Sequence, residues 1–199
     1  MISSIVNRII VYQIKLGLIK DEDKGIFRYG YDLLVSRIIS FILIGLISTI
    51  FKIYIEIFIF LLAFIPLRQY AGGYHLTTPE KCIGLSAFLV WLVGMIMKSG
   101  VSKATLSILL VLTLFADVVI FILAPVDCEN KRLDEKEQIV YKQYTKIVLI
   151  VELIIYTAIY VGNIEKIASG IFLAHVLEAG SLVVGWKLPN IKNRKPNNL

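Results

Sequence analysis

His75 and Cys82 are the side chains whose types and spacing could carry out covalent chemistry, and they lie seven residues apart. A thiolate attacks a carbonyl carbon, and an imidazole takes up and returns the protons that such an attack moves. A Cys82–His75 dyad would therefore perform acyl transfer, with the sulfur as nucleophile and the imidazole as general base and then acid. The residues alone leave a second interpretation open, in which a loop histidine and a cysteine packed against lipid have no catalytic role.

The segment before Cys82 predicts a tight turn followed by the start of a helix. Gly72 and Gly73 permit a sharp bend and the close approach of another backbone. Thr78 followed by Pro79 is typical of an N-cap residue and a first helical residue. Cys82 then falls in the first turn, where the positive end of the helix dipole stabilises a thiolate. Because Pro79 interrupts a continuous helix, the glycine turn must bring the histidine back toward the helix start.

Four further residues are candidates for substrate binding or for support of the dyad. Arg68 could position a substrate carboxylate, or it could bind a lipid phosphate. The backbone N–H groups of Gly72 and Gly73 could stabilise a tetrahedral oxyanion, although a plain turn is the simpler role. Asp127 could orient the imidazole if its own loop approaches the glycine turn.

The composition shows whether the chain that carries these residues folds in water or in a membrane. The 199 residues are 57% hydrophobic and 18% charged, with a mean hydropathy of +0.78. Soluble domains are ~45–50% apolar and ~25% charged. The composition therefore excludes a disordered chain, a fibre and a soluble globular domain, and it indicates an integral membrane protein.

Six apolar runs predict an all-α polytopic membrane helical bundle within 33–185, in a single membrane domain covering 1–199. The runs are Leu33–Phe51, Ile53–Leu67, Ile83–Met97, Ala104–Ala124, Ile147–Val161 and Ile167–Gly185. About 20 residues span the hydrocarbon core, so the two short runs on either side of 68–82 are either tilted spans or re-entrant hairpins. The region 1–31 predicts an N-terminal amphipathic helix in the membrane interface, or else a first helix packed on the bundle.

The basic residues predict the orientation of the chain. With six full spans, sixteen of the 21 Lys and Arg residues lie on one side and four on the other. The positive-inside rule then places both termini, the loops 68–82 and 125–146 and the tail 186–199 in the cytoplasm. The net charge of +6 fits contact with anionic lipid. Aromatic and basic residues do not alternate in the pattern of a nucleic-acid-binding surface, so we do not expect the chain to bind nucleic acid.

Several ionisable side chains lie in or near the apolar runs, where they are costly and either functional or ion-paired inside the bundle: Arg37, Glu56, Asp117, Glu152 and Glu178. Two cysteines are too few for a disulfide framework, and Cys128 is expected to be a plain thiol. Neither Cys128 nor His175 stands in a CxxC or HxxxH pair, so we expect neither a metal ion nor a cofactor. Ser181 shows no pattern typical of a serine hydrolase.

The stretch from Arg68 to Cys82 resembles the signature of the accessory gene regulator B (AgrB) family of membrane cysteine peptidases. His75 and Cys82 match the histidine and cysteine of that signature, and the resemblance covers nearly the whole chain. The segment Ala124-Pro125-Val126-Asp127, followed by Asn130-Lys131, resembles a second family element. Many members have proline after that Asn-Lys pair, where this chain has Arg132.

The resemblance implies a membrane cysteine endopeptidase of the bacterial cell membrane. It implies that Cys82 cleaves the C-terminal tail from an AgrD-like propeptide and holds the remainder as a thioester. An internal cysteine or serine of the peptide would then close a thiolactone or lactone, which becomes a quorum-sensing autoinducing peptide. Membrane lipids are expected partners, and a homodimer remains open.

Two other functions compete with this interpretation. A non-catalytic peptide exporter subunit or scaffold would rely on the intramembrane charges, while His75 and Cys82 would only pack. A membrane transferase for lipid or isoprenoid groups would need Asp-rich metal motifs, which this chain lacks.

Overall fold

A computed structural model describes residues 2–74, 78–99, 103–126, 133–162 and 164–187. Throughout these ranges the chain is helical apart from short connections, which confirms the predicted all-α fold. The α-helices are α1 Ile2–Lys15, α2 Lys24–Phe51, α3 Tyr54–Ala71, α4 Pro79–Lys98, α5 Lys103–Leu123, α6 Glu135–Val161 and α7 Glu165–Lys187. His75, Asp127, Cys128 and the tail beyond Lys187 lie outside the described residues.

Among the residues that the structure describes, five helical stretches are long and apolar enough to cross a membrane, which confirms the predicted membrane helical fold. They are Asp21–Phe51, Tyr54–Ala71, Glu80–Lys98, Glu135–Val161 and Ile167–Lys187. Helix α5 has 21 residues, of which Ser107–Leu123 form a shorter apolar stretch. A helix of 18 residues is about 27 Å long, close to the ~30 Å of hydrocarbon core. By length, α3 can therefore cross fully, although its apolar run alone is shorter.

The helices form two compact units, Met1–Ile50 with Leu76–Leu92, and Phe51–His75 with Val93–Leu199. In the first unit, α1 buries Val6 and Ile10 against a small cluster that includes Tyr31 and Val35 of α2. The Gln13 side-chain amide and the Tyr31 hydroxyl also hydrogen bond to each other, at 2.7 and 2.9 Å. Helix α1 therefore has a packed face. The single domain expected over 1–199 stays a prediction.

Helix α7 is the central element of the second unit, where it packs against α3, α5 and α6. Gly170 allows α3 to approach α7 closely, because a Cβ there would lie 3.3 Å from the Glu56 carbonyl oxygen of α3. The apolar core beside α7 consists of Leu67, Ala71, Ala116, Ile120, Ala124, Leu149, Ala179 and Leu182. Polar side chains on α7 are thus removed from lipid and must find partners on neighbouring helices.

Candidate active site

Cys82 lies in the first turn of α4, in the first unit. Helix α4 begins at Pro79, as the Thr-Pro pair predicts. The Lys81 N–H group donates to Thr78 Oγ1 at 3.4 Å, and the Cys82 N–H group donates to the Thr78 carbonyl oxygen at 3.1 Å. The Cys82 thiol is free and half-buried. The thiol is therefore partly accessible to a substrate at the start of a capped helix. Its pairing with His75 stays a prediction.

Arg68, in the last turn of α3, holds the backbone turn that leads to His75. Its Nη1 donates to the Gly72 carbonyl oxygen at 2.8 Å, and its Nη2 donates to the Tyr74 carbonyl oxygen. Gly72 and Gly73 have φ angles of +78° and +112°, which side-chain-bearing residues rarely adopt. The glycine pair is therefore required by the backbone path, and one guanidinium spans the turn that this path makes.

The turn rests on the segment that follows α5. The Val126 N–H group donates to the Ala71 carbonyl oxygen at 2.9 Å, and the Gly73 N–H group donates to the Val126 carbonyl oxygen at 3.3 Å. A Cβ on Gly72 would collide with that same Val126 oxygen. The glycine turn therefore meets the segment after α5 at Val126, whereas the proposed contact of Asp127 with His75 lies outside the described residues. Because the Gly73 N–H group already has an acceptor, the plain-turn role is favoured over oxyanion binding for this glycine.

Helix α7 closes the other side of the turn. Ser181 Oγ accepts a hydrogen bond from Arg68 Nη1 and lies 3.2 Å from the Tyr74 backbone nitrogen. The Tyr74 N–H group also donates to the Ser181 carbonyl oxygen at 3.2 Å. A Cβ on Gly185 would lie 3.0 Å from the same nitrogen. The small residues of α7 therefore allow the turn to sit directly on the helix.

Glu178 places a buried carboxylate beside the Arg68 guanidinium. Its Oε2 lies 3.7 Å from Arg68 Nη1, and the Glu178 side chain is fully buried, whereas that of Arg68 is 21% exposed. Neither carboxylate oxygen of Glu178 has a hydrogen-bond partner among the described residues. The electrostatic attraction of Arg68 is thus the compensation that the structure provides for this buried carboxylate.

A second polar cluster joins α5, α6 and α7 in the same unit. His175 Nδ1 is hydrogen bonded to Asp117 Oδ1, and His175 Nε2 lies 2.9 Å from Glu152 Oε2. His175 is fully buried, and the two carboxylates are 13% and 10% exposed. Asp117, Glu152 and Glu178 therefore each have a partner inside the bundle, which is the ion-paired alternative that the sequence left open for them. Within the described ranges, no group of His, Cys, Asp and Glu could hold a metal ion.

The comparisons with known proteins assign the chain to a family. The model of the family described as "Accessory gene regulator B" matches residues 2–182. The chain belongs to the AgrB family. Two relatives from Clostridium perfringens are 31% identical ("Putative AgrB-like protein", strain SM101, type A) and 30% identical ("Putative AgrB-like protein 2", strain 13, type A). Each alignment covers 137 residues, which is 65% of this chain and 64% of the relative's length. No solved structure matches the chain.

The AgrB match includes residues whose roles the sequence did not reveal. The sequence shows no serine-hydrolase pattern around Ser181 and no metal-ligand pattern around His175, and it indicates no partner for either residue. Both lie on α7 with Glu178 between them, at intervals of three residues within a predominantly apolar stretch of the helix. This spacing places polar groups on one face and is the signal that could have identified them.

Proposed function

We propose that this chain is a membrane cysteine endopeptidase that cleaves the C-terminal tail of an AgrD-like propeptide. Cys82 would be the nucleophile and His75 the general base and acid. Membership of the AgrB family supports involvement in the agr quorum-sensing system, since the family is linked to AgrD propeptide processing. The observation that carries the proposal for this chain is a half-buried free thiol in the first turn of a capped helix.

The proposed reaction begins when His75 takes the thiol proton and the Cys82 sulfur attacks the scissile carbonyl carbon. The C–N bond breaks, His75 returns the proton to the departing amine of the tail, and a thioester to Cys82 remains. A thiol or hydroxyl within the peptide then attacks the thioester. This attack closes a thiolactone or lactone and returns the Cys82 thiol. Surrounding helices that exclude water would favour ring closure over hydrolysis.

The proposed location is the bacterial cell membrane, with both termini and the loop 68–82 in the cytoplasm. The excess of basic residues on one side supports this orientation. Lipids would be general partners, the propeptide would be the specific partner, and a homodimer remains open. No cofactor takes part in the proposed chemistry.

The alternative is a non-catalytic peptide exporter subunit or scaffold. The observation that favours it is a set of buried or half-buried ionisable groups among the helices of one unit, because such groups often line transport pathways. The set includes Arg68, Asp117, Glu152, His175 and Glu178. On this alternative, loss of the Cys82 thiol would leave the function intact.

Co-expression with an AgrD-like precursor separates the two functions. Cys82→Ala and His75→Ala should each abolish tail release while the protein still inserts into the membrane. Cys128→Ala is the matched control, because it removes the other cysteine, and it should leave cleavage intact. Mass spectrometry of the wild type should detect a peptide adduct on Cys82 that hydroxylamine removes. Tail release that survives Cys82→Ala would refute the proposed enzyme.

A further inference from the structure

We propose that Glu178 and Ser181 of α7 are positioning residues for the proposed reaction. They hold Arg68 in one orientation, and Arg68 in turn fixes the turn from Gly72 to Tyr74, which leads directly to His75. The inference rests on the proposed function in one respect, because it takes His75 to be the catalytic base.

The turn has little means of holding itself in place. Two of its three residues are glycines, whose backbones are the most flexible of any residue type and which offer no side chain for packing. Its conformation is therefore defined by groups outside it. Val126 fixes the first half through the hydrogen bonds to Ala71 and Gly73, whereas Arg68 reaches across to the Tyr74 carbonyl oxygen at the far end.

Arg68 suits this task because a guanidinium is a rigid, planar fork. Nη1 and Nη2 donate to the carbonyl oxygens of Gly72 and Tyr74 at the same time, so the orientation of the plane fixes the separation of those oxygens. The long Arg68 side chain has many rotamers, so contacts on the side of the guanidinium away from the turn must select its orientation.

Helix α7 makes that selection. Ser181 Oγ accepts from Arg68 Nη1 and is also 3.2 Å from the Tyr74 nitrogen, so this hydroxyl contacts both the arginine and the turn. Glu178 lies three residues earlier on the same face and brings its buried charge to within 3.7 Å of Nη1. The Glu178 carboxylate has no hydrogen-bond partner of its own, so no other donor of the described residues shares its attraction for the guanidinium.

Loss of either group should let the guanidinium leave its position and the turn relax. A catalytic group displaced by about 1 Å can cost about 100-fold in rate. We therefore expect Glu178→Gln and Ser181→Ala each to lower kcat for tail release by about 10- to 100-fold, with KM changed by less than about 2-fold. Ser169→Ala is the matched control, since Ser169 is buried on the same helix but twelve residues from Ser181, and it should leave kcat within about 2-fold.

The test uses the full-length protein in proteoliposomes with an AgrD-like precursor that carries a fluorescent tail. A mutant cycle separates positioning through Arg68 from a general weakening of α7. In an Arg68→Met, Glu178→Gln background, whose buried pair is uncharged, Ser181→Ala should cost less than about 2-fold. Maleimide labelling of Cys82 in a Cys128→Ala background, carried to completion, should reach the same extent with either α7 substitution, because the thiol itself is intact.

Two kinds of result are distinguishable. If Cys82 and His75 are required but Glu178→Gln and Ser181→Ala keep the wild-type kcat, the positioning role is overturned and the enzyme stands. The positioning role is equally overturned if Ser181→Ala costs as much in the background without Arg68 as in the wild type. If cleavage survives Cys82→Ala, the proposed enzyme itself is wrong.

Discussion

Removal of the His175 imidazole should be among the most destabilising single substitutions in the second unit. His175→Ala leaves the carboxylates of Asp117 and Glu152 without the partner that bridges them. Two lost interhelical hydrogen bonds account for only about 1 kcal/mol, at ~0.6 kcal/mol each in membrane proteins. Leaving a buried charge uncompensated costs about 3–5 kcal/mol. The charge term is larger, and we expect the free energy of unfolding to fall by about 3–5 kcal/mol.

Reversible unfolding in mixed micelles, followed by circular dichroism while the fraction of denaturing detergent is raised, measures this loss. Thr157→Ala is the matched control on α6, because Thr157 is exposed and bonds only to its own helix, and it should change the free energy by less than about 0.5 kcal/mol. Replacing the whole triad with apolar residues (Asp117→Val, Glu152→Leu and His175→Leu) should recover most of the stability. A loss below about 1 kcal/mol for His175→Ala would refute the reasoning, since the carboxylates would then not depend on the imidazole.

Two further predictions concern the turn before His75. Gly72→Ala should reduce tail release by at least about 10-fold, because its Cβ would collide with the Val126 carbonyl oxygen at a positive φ. Gly25→Ala, where a Cβ meets open space, should leave the rate unchanged; equal rates for the two variants would contradict the required bend. Arg68→Lys should retain less than about a tenth of the wild-type kcat, since an ammonium cannot donate to two carbonyl oxygens in the same fork. Wild-type kcat for Arg68→Lys would show that charge alone suffices.

The sequence predicted those features that depend on neighbouring residues. Thr78 and Pro79 affect only the first turn of the helix that follows them. These two residues were therefore sufficient to predict the start of α4. The apolar runs likewise predicted the membrane helices. Their lengths were less predictable, because α3 continues to Ala71 past the end of its apolar run at Leu67. Arg68 lies in that extension, where its side chain finds partners that apolar length alone could not indicate.

The partners of the buried polar groups could not be predicted, because they come from distant parts of the chain. Arg68 and Ser181 are 113 residues apart, and His175 is 58 residues from Asp117. Helical periodicity shows which face of α7 is polar, but it carries no information on which helix packs against that face. The choice of neighbours is made by the packing of the whole unit, and a single sequence contains no separate signal for it.

Residues of the two polar clusters lie on one face of α7, and this links the buried His175 triad to the turn before His75. His175, Glu178 and Ser181 follow one another at three-residue intervals, so they span about 9 Å along the axis of α7. Asp117 and Glu152 hold His175 from two other helices and thereby fix how α7 is rotated about its axis. The same rotation determines whether Glu178 and Ser181 face Arg68. The buried triad therefore contributes to the geometry of the turn indirectly. Among the described residues, its members hydrogen bond to one another and not to Arg68, Gly72 or Tyr74.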